Sequence, residues 1–163
     1  MRLGFLAIIL ALGVADVARS QERGPVTNLP LPRFVSLKAD EGNARRGPSL
    51  THRVDWVFTY QNQPLKVVAE YGNWRRVQDY EGQGGWMHYS LLSGVRWVRV
   101  QEDRIPVRFK PNEAAATRAF AERGVLARLG ACVADWCEIS AQGESGWVLK
   151  TQIWGVDPDE LRD

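Results

Sequence analysis

The chain uses the same unit twice, and this duplication limits its fold more than any other feature. Arg33-Phe-Val-Ser-Leu-Lys38 lines up with Arg96-Trp-Val-Arg-Val-Gln101, and Asn43-Ala-Arg-Arg-Gly-Pro48 with Pro106-Val-Arg-Phe-Lys-Pro111. Asn73-Trp-Arg-Arg-Val77 matches Asp135-Trp-Cys-Glu-Ile139, and Gly85-Trp-Met-His-Tyr89 matches Gly146-Trp-Val-Leu-Lys150. Each copy closes on a glycine, Gly94 or Gly155. The anchors keep their order while their offset hardly drifts. Such a repeat is one small folding unit used again. Each copy must therefore close a core within roughly 60 residues, near the lower size limit for a domain.

Within a copy the elements are short and turn-rich. Phe34–Lys38, Leu65–Glu70, Trp74–Gln78 and Gly85–Tyr89 read as strands from their β-branched and aromatic content, with turns at 71–73 and 80–84. Trp97–Gln101, Val125–Gly130, Trp136–Ser140 and Gly146–Leu149 take these parts in the second copy. Close spacing of short strands predicts an all-β chain with one small barrel per copy. Asn112–Ala121 is alanine-rich and predicts a short helix, whereas its counterpart Ser49–Phe58 is strand-like.

In this order, an Arg-Gly-Pro loop, an Asn-Trp-x-x-Val strand and a Gly-Trp strand resemble the bacterial SH3-like domain. LPRFVSLKAD, NARRGPS, NWRRV and GWMHYSLLSG make the first copy similar to an exported two-copy subfamily of proteobacteria. The second copy is more divergent but keeps PVR, DWCEI, GW and WGVDPDE. The resemblance implies two tandem small SH3-like barrels, each five-stranded and partly open, and a binding or targeting role. The expected organisation is a signal peptide at 1–20, a linker at 21–32, domains at 33–94 and 95–157, and a tail at 158–163.

The signal peptide is read from a positive start at Met1–Arg2, an apolar run over Leu3–Val14 and small residues at Gly13-Val-Ala15 and Ala18-Arg-Ser20. That layout predicts export with cleavage near residues 15–20, and the run is short for a membrane span. An uncleaved anchor is the rival reading. No later stretch is apolar enough to span, so the mature chain is expected to lack a membrane segment. Removing Arg2, Asp16 and Arg19 leaves it almost neutral without blocks of like charge, which gives no basis for nucleic-acid binding.

Cys132 and Cys137 are the only cysteines. In an exported chain an even count favours a disulfide over two reduced core cysteines, with Val133–Trp136 as a tight turn between them. A metal site is disfavoured because zinc takes four ligands and no histidine lies nearby. No motif calls for a cofactor. Gly42–Gly47 lacks the Gly-Lys-Ser/Thr ending and following helix of a phosphate loop.

Residues that recur in both copies, Trp74/Trp136, Val77/Ile139, Gly85/Gly146 and Trp86/Trp147, are expected to build the barrel. Trp86 and Trp147 are assigned to its core. Trp56, Tyr60, Tyr71, Tyr80 and Tyr89 have no aromatic counterpart and are the candidate peptide- or sugar-binding residues, against the reading that they pack on the neighbouring copy. His88 joins them because it alternates away from Met87, toward the surface or the seam between copies. Arg45 is the cationic candidate, since a guanidinium grips a carboxylate with two prongs. Its match to Arg108 argues instead for a structural role.

With two histidines, His52 and His88, and no nucleophile elbow around Ser90, no catalytic residue is assigned and the protein is read as a non-enzyme. The expected function is a periplasmic module that binds a cell-envelope peptide or protein, with the peptidoglycan stem peptide among the candidates. The alternative is a structural or assembly factor for an envelope protein complex, and behind it a cell-wall hydrolase.

Overall fold

The structure is a computed structural model that describes residues 21–163. The predicted signal peptide lies outside them. Strands β1 (Arg33–Leu37), β2 (Gly42–Arg45), β3 (Val54–Phe58), β4 (Pro64–Tyr71), β5 (Trp74–Gln78), β6 (Gly84–His88) and β7 (Leu92–Ser93) form one antiparallel sheet. Strands β8 (Trp97–Val100), β9 (Arg104–Arg108), β10 (Thr117–Glu122), β11 (Leu126–Val133), β12 (Trp136–Ala141), β13 (Glu144–Leu149) and β14 (Ile153–Trp154) form the other. Their orders, β3-β2-β6-β5-β4-β1-β7 and β10-β9-β13-β12-β11-β8-β14, are the same topology. The all-β fold of two tandem copies is as expected. Each sheet is curled and unclosed, and its count of seven includes a two-residue strand, β7 or β14, that ends the copy.

What curls each sheet is a backbone crossing. β2 meets β6 only at Arg45 and Trp86, and β9 meets β13 only at Arg108 and Trp147. A Cβ on Gly85 would sit 2.6 Å from the Arg45 carbonyl oxygen, and one on Gly146 would sit 2.7 Å from that of Arg108. Neither separation is sterically possible, so glycine is required at both sites. The tryptophans that follow do not fill the core. Strand alternation turns Met87 and Val148 inward, fully buried, and leaves Trp86 and Trp147 half-buried on the outer face.

The two cores conserve volume by exchanging size between paired positions. Gly42 faces Phe58 where the second copy has Ile105 facing Ala121. Ala44 and Met87, neighbours at the first crossing, correspond to Val107 and Val148 at the second. Swaps of this kind keep packing density and cost little.

Asn112–Ala121 is not a helix. Thr117–Glu122 is strand β10, paired with β9 from Thr117↔Arg108 to Glu122↔Arg104. Alanine's helix preference is a fraction of a kcal/mol per residue, and a strand here supplies the ladder partner that β9 needs.

Each copy has a staple at the same hairpin position. Cys132 and Cys137, opposite each other across β11 and β12, form a disulfide with a Cα–Cα distance of 4.1 Å. The equivalent pair in the first copy is Glu70 opposite Arg75. Glu70 is buried and also holds residues 21–31 against the domain. It accepts from the Val26 and Thr27 N–H groups (3.1 and 2.9 Å), the Thr27 hydroxyl (2.6 Å) and Arg33 (2.8 Å). At the other end, Arg162 exchanges backbone hydrogen bonds with Cys132, and Glu160 takes a two-pronged bond from Arg96, the counterpart of Arg33. The copies themselves meet where the buried Phe34 ring lies edge-on to Trp154 at 5.1 Å and Ser36 donates to the Val95 carbonyl.

Burial alone would raise the Glu70 carboxyl, but the hydrogen bonds from Thr27, Arg33 and Val26 outweigh it and hold the group at about 2, against an ordinary 4.5. A depressed carboxyl stabilises the fold above its unfolded value, and that contribution is lost as pH falls toward the folded one. Glu70→Gln is therefore expected to cost on the order of 2 kcal/mol near neutral pH. The gap to wild type should close between the ordinary and the lowered value in urea melts taken over acidic pH. A gap that does not change with pH would contradict this role.

Candidate functional site

The aromatic residues without counterparts fall on two separate surfaces. Trp56, Tyr60 and Tyr80 line a groove of about 490 Å³ between the copies, whose other wall is Arg99, Arg123, Gly124 and Leu126. Trp56 lies on the core-side face of β3, opposite Ala44 and 6.4 Å from the Phe58 ring, where it extends the core into the groove, 39% exposed, and Tyr60 follows that strand, 70% exposed. Tyr80 sits on the loop joining β5 to β6. That loop is fixed by the buried Asp79 carboxylate, which accepts from the Glu81 and Gln83 N–H groups at 3.0 and 2.8 Å. Gly82, at φ +80°, makes the reversal that an L-residue resists.

At the centre of the groove the Arg99 guanidinium lies 3.9 Å from the Tyr80 ring centroid. Such a stack is worth about 0.5–2 kcal/mol. Burial raises the Tyr80 hydroxyl above its ordinary value; Arg99 opposes this and Glu81 adds to it, so the phenol stays neutral through physiological pH. The equivalent groove of the second copy has one exposed ring, Phe120, with Arg104 4.0 Å from its centroid, and neither a tryptophan nor a tyrosine. By strand register Trp56 corresponds to Ala119, and the loop that carries Tyr80 shortens there to Gln142-Gly143.

Tyr71, His88 and Tyr89 lie on another surface, beside Trp74. The His88 ring is 5.6 Å from Trp74 and 4.9 Å from Tyr89, and Arg75 lies 6.0 Å over Tyr89. With Pro48, Leu50 and Asn73 nearby this is a shallow, open face. His88 Nδ1 is 2.7 Å from the Ser90 hydroxyl and accepts the Ser90 N–H at 3.4 Å, which caps the short 3-10 turn Tyr89–Leu91. Among the described residues no hydrogen bond orients the other ring nitrogen, the partner that a Ser–His nucleophile needs. Nor do three metal-ligating side chains come together among the described residues.

Arg45 belongs to neither surface. Its guanidinium donates to the His52 and Leu50 carbonyls at 2.8 and 3.3 Å and closes the loop between β2 and β3. Arg108 does the same work on Ala115 at 2.8 Å. The cation that the groove presents is Arg99, which sequence reasoning missed. The available signal was that Arg99 replaces Ser36 at its repeat position, a charge gained in one copy only.

Arg45→Ala is thus expected to speed hydrogen exchange of the Arg46 amide, bonded across the loop to Arg53, while the Trp56 and Tyr80 resonances stay in place. Exchange unchanged at Arg46, with shifts at Tyr80 instead, would return Arg45 to the candidate site.

Comparison with known proteins identifies the fold. The family model for the bacterial SH3 domain matches residues 38–94 and 101–155, so the chain belongs to that family, with two copies. No curated protein matches it. Two solved structures align at low similarity: NlpC2 from Trichomonas vaginalis (11% identity, TM-score 0.35, 75% of this chain and 47% of that one) and NlpC1 from the same organism (9%, 0.36, 81% and 49%). The chain spans about half the length of each. Among the described residues no helix is long and apolar enough to cross a membrane.

Proposed function

We propose that the protein is a non-enzymatic binding module of the cell envelope and that the groove between its two copies seats an extended peptide. The observation behind this reading is the convergence of Trp56, Tyr60 and Tyr80, all without counterpart in the second copy, on a wall the second copy supplies. Duplicated halves that served only to build barrels would have no reason to differ in the same groove. Aromatic shelves beside polar groups are how SH3-like grooves take an extended chain: the rings bury its apolar faces and the polar groups set direction. The signal-like start of the sequence supports an exported, periplasmic site of action, where wall stem peptides and extended protein segments are available.

Co-sedimentation of residues 21–163 with purified cell-wall sacculi tests the wall version. Retention is expected for the wild type, with a loss of about tenfold or more in affinity for Trp56→Ala or Tyr80→Ala, the scale of a binding hot spot. Tyr71→Ala and Tyr89→Ala should bind as wild type. Absence of co-sedimentation removes the wall as ligand, and retention lost only with Tyr71→Ala or Tyr89→Ala moves the site off the groove.

A further inference from the structure

Every arginine of the described residues that is withdrawn from solvent has an acceptor, with one exception. Arg33 is paired with Glu70, Arg96 with Glu160, Arg45 and Arg108 bond to loop carbonyls, and Arg75 bonds to the Gly72 and Trp74 carbonyls. Arg99, half-buried, has none among the described residues. A half-buried guanidinium without a protein acceptor keeps its donors turned toward the groove, available to an acceptor on a ligand.

Its orientation is fixed nonetheless. In the sheet Arg99 stands opposite Leu126 on one side and Trp154 on the other, and the Tyr80 ring covers its face. Stacking occupies the face of a guanidinium and leaves its N–H edge as the available donor, in the geometry that matches a carboxylate with two parallel bonds. Of the acids nearby, Asp79 holds its own loop, Asp103 is paired with Arg123 at 2.7 Å, and Glu81, which lines the same groove and acts on the Tyr80 hydroxyl, makes no ion pair with Arg99 among the described residues.

We propose that Arg99 is the carboxylate reader of the groove, so that the peptide bound there presents a free carboxylate, its C-terminus, to the guanidinium edge. This rests on the groove being the binding site. The Trp56 and Tyr60 shelf then takes the residues preceding that carboxylate. A lysine at position 99 would keep the charge and lose both the stack and the two-pronged geometry.

The test uses two probes, acetyl-Ala-Ala-Ala with a free C-terminal carboxylate and the same peptide as its C-terminal amide. Each is titrated to millimolar concentration while the Trp56 indole N–H is followed by NMR. Wild type is expected to prefer the acid by about tenfold, the scale of one charge-assisted hydrogen bond. Arg99→Gln should bind acid and amide equally, and Arg99→Lys should show an intermediate preference that weakens with salt. An unchanged thermal melt for each variant controls for folding. If wild type binds acid and amide alike, or Arg99→Gln keeps the preference, the carboxylate assignment is overturned while the groove stands as a peptide site. If neither probe moves Trp56, both readings fall. If acetate or inorganic phosphate alone competes as well as the peptide acid, Arg99 is a general anion site and the C-terminal assignment is overturned.

Discussion

The whole molecule hangs on the place where the backbone of β6 crosses that of β2, and β13 that of β9, at van der Waals contact. Only glycine fits there, and Gly85 and Gly146 supply it against the carbonyls of Arg45 and Arg108. The crossing forces a flat ladder into a curled sheet with an inside, turning Met87 and Val148 into the core. It also sets where the β5–β6 hairpin projects, and so where Tyr80 meets the second copy. One steric requirement therefore links the core to the groove.

Above that constraint, the copies have diverged by local exchange. Gly42 with Phe58 becomes Ile105 with Ala121, and the buried Glu70–Arg75 pair becomes the Cys132–Cys137 disulfide. The two staples do the same work through different physics. The disulfide acts covalently over a short loop, whereas Glu70 also recruits Val26, Thr27 and Arg33 and so orders the segment before β1. Residues 157–162 cover the corresponding edge of the second copy through Arg162 and Glu160. The C-terminal segment thus supplies partners for the Cys132 backbone groups, whereas the N-terminal segment satisfies the buried Glu70 carboxylate.

The fold was largely legible because its hardest constraints are local: glycines before a tryptophan, a Tyr-Gly-Asn turn, a cysteine pair spanning four residues. Where a rule depended on a distant partner, the reading failed. Asn112–Ala121 looks helical by composition, but β9 makes Thr117–Glu122 a strand. Trp86 and Trp147 look like core residues by size, but alternation from the glycine crossing sends them outward. The aromatic candidates were identifiable from the repeat, since a residue kept in one copy only is free of the barrel's common demands. That they split into two surfaces was not, because the split follows from how the copies pack. Arg99 was hidden for the same reason: in the chain it is one charge in a strand, and only the seam brings it under Tyr80.

In the proposed function, two copies of one unit jointly build a single site. The most direct measurement is an NMR titration with soluble stem-peptide fragments released from purified sacculi, following side-chain resonances from both copies. Trp56 and Tyr80 of the first copy and Arg99 of the second are expected to shift together with one affinity. Shifts confined to Tyr71, His88 and Tyr89, with the groove silent, would contradict it.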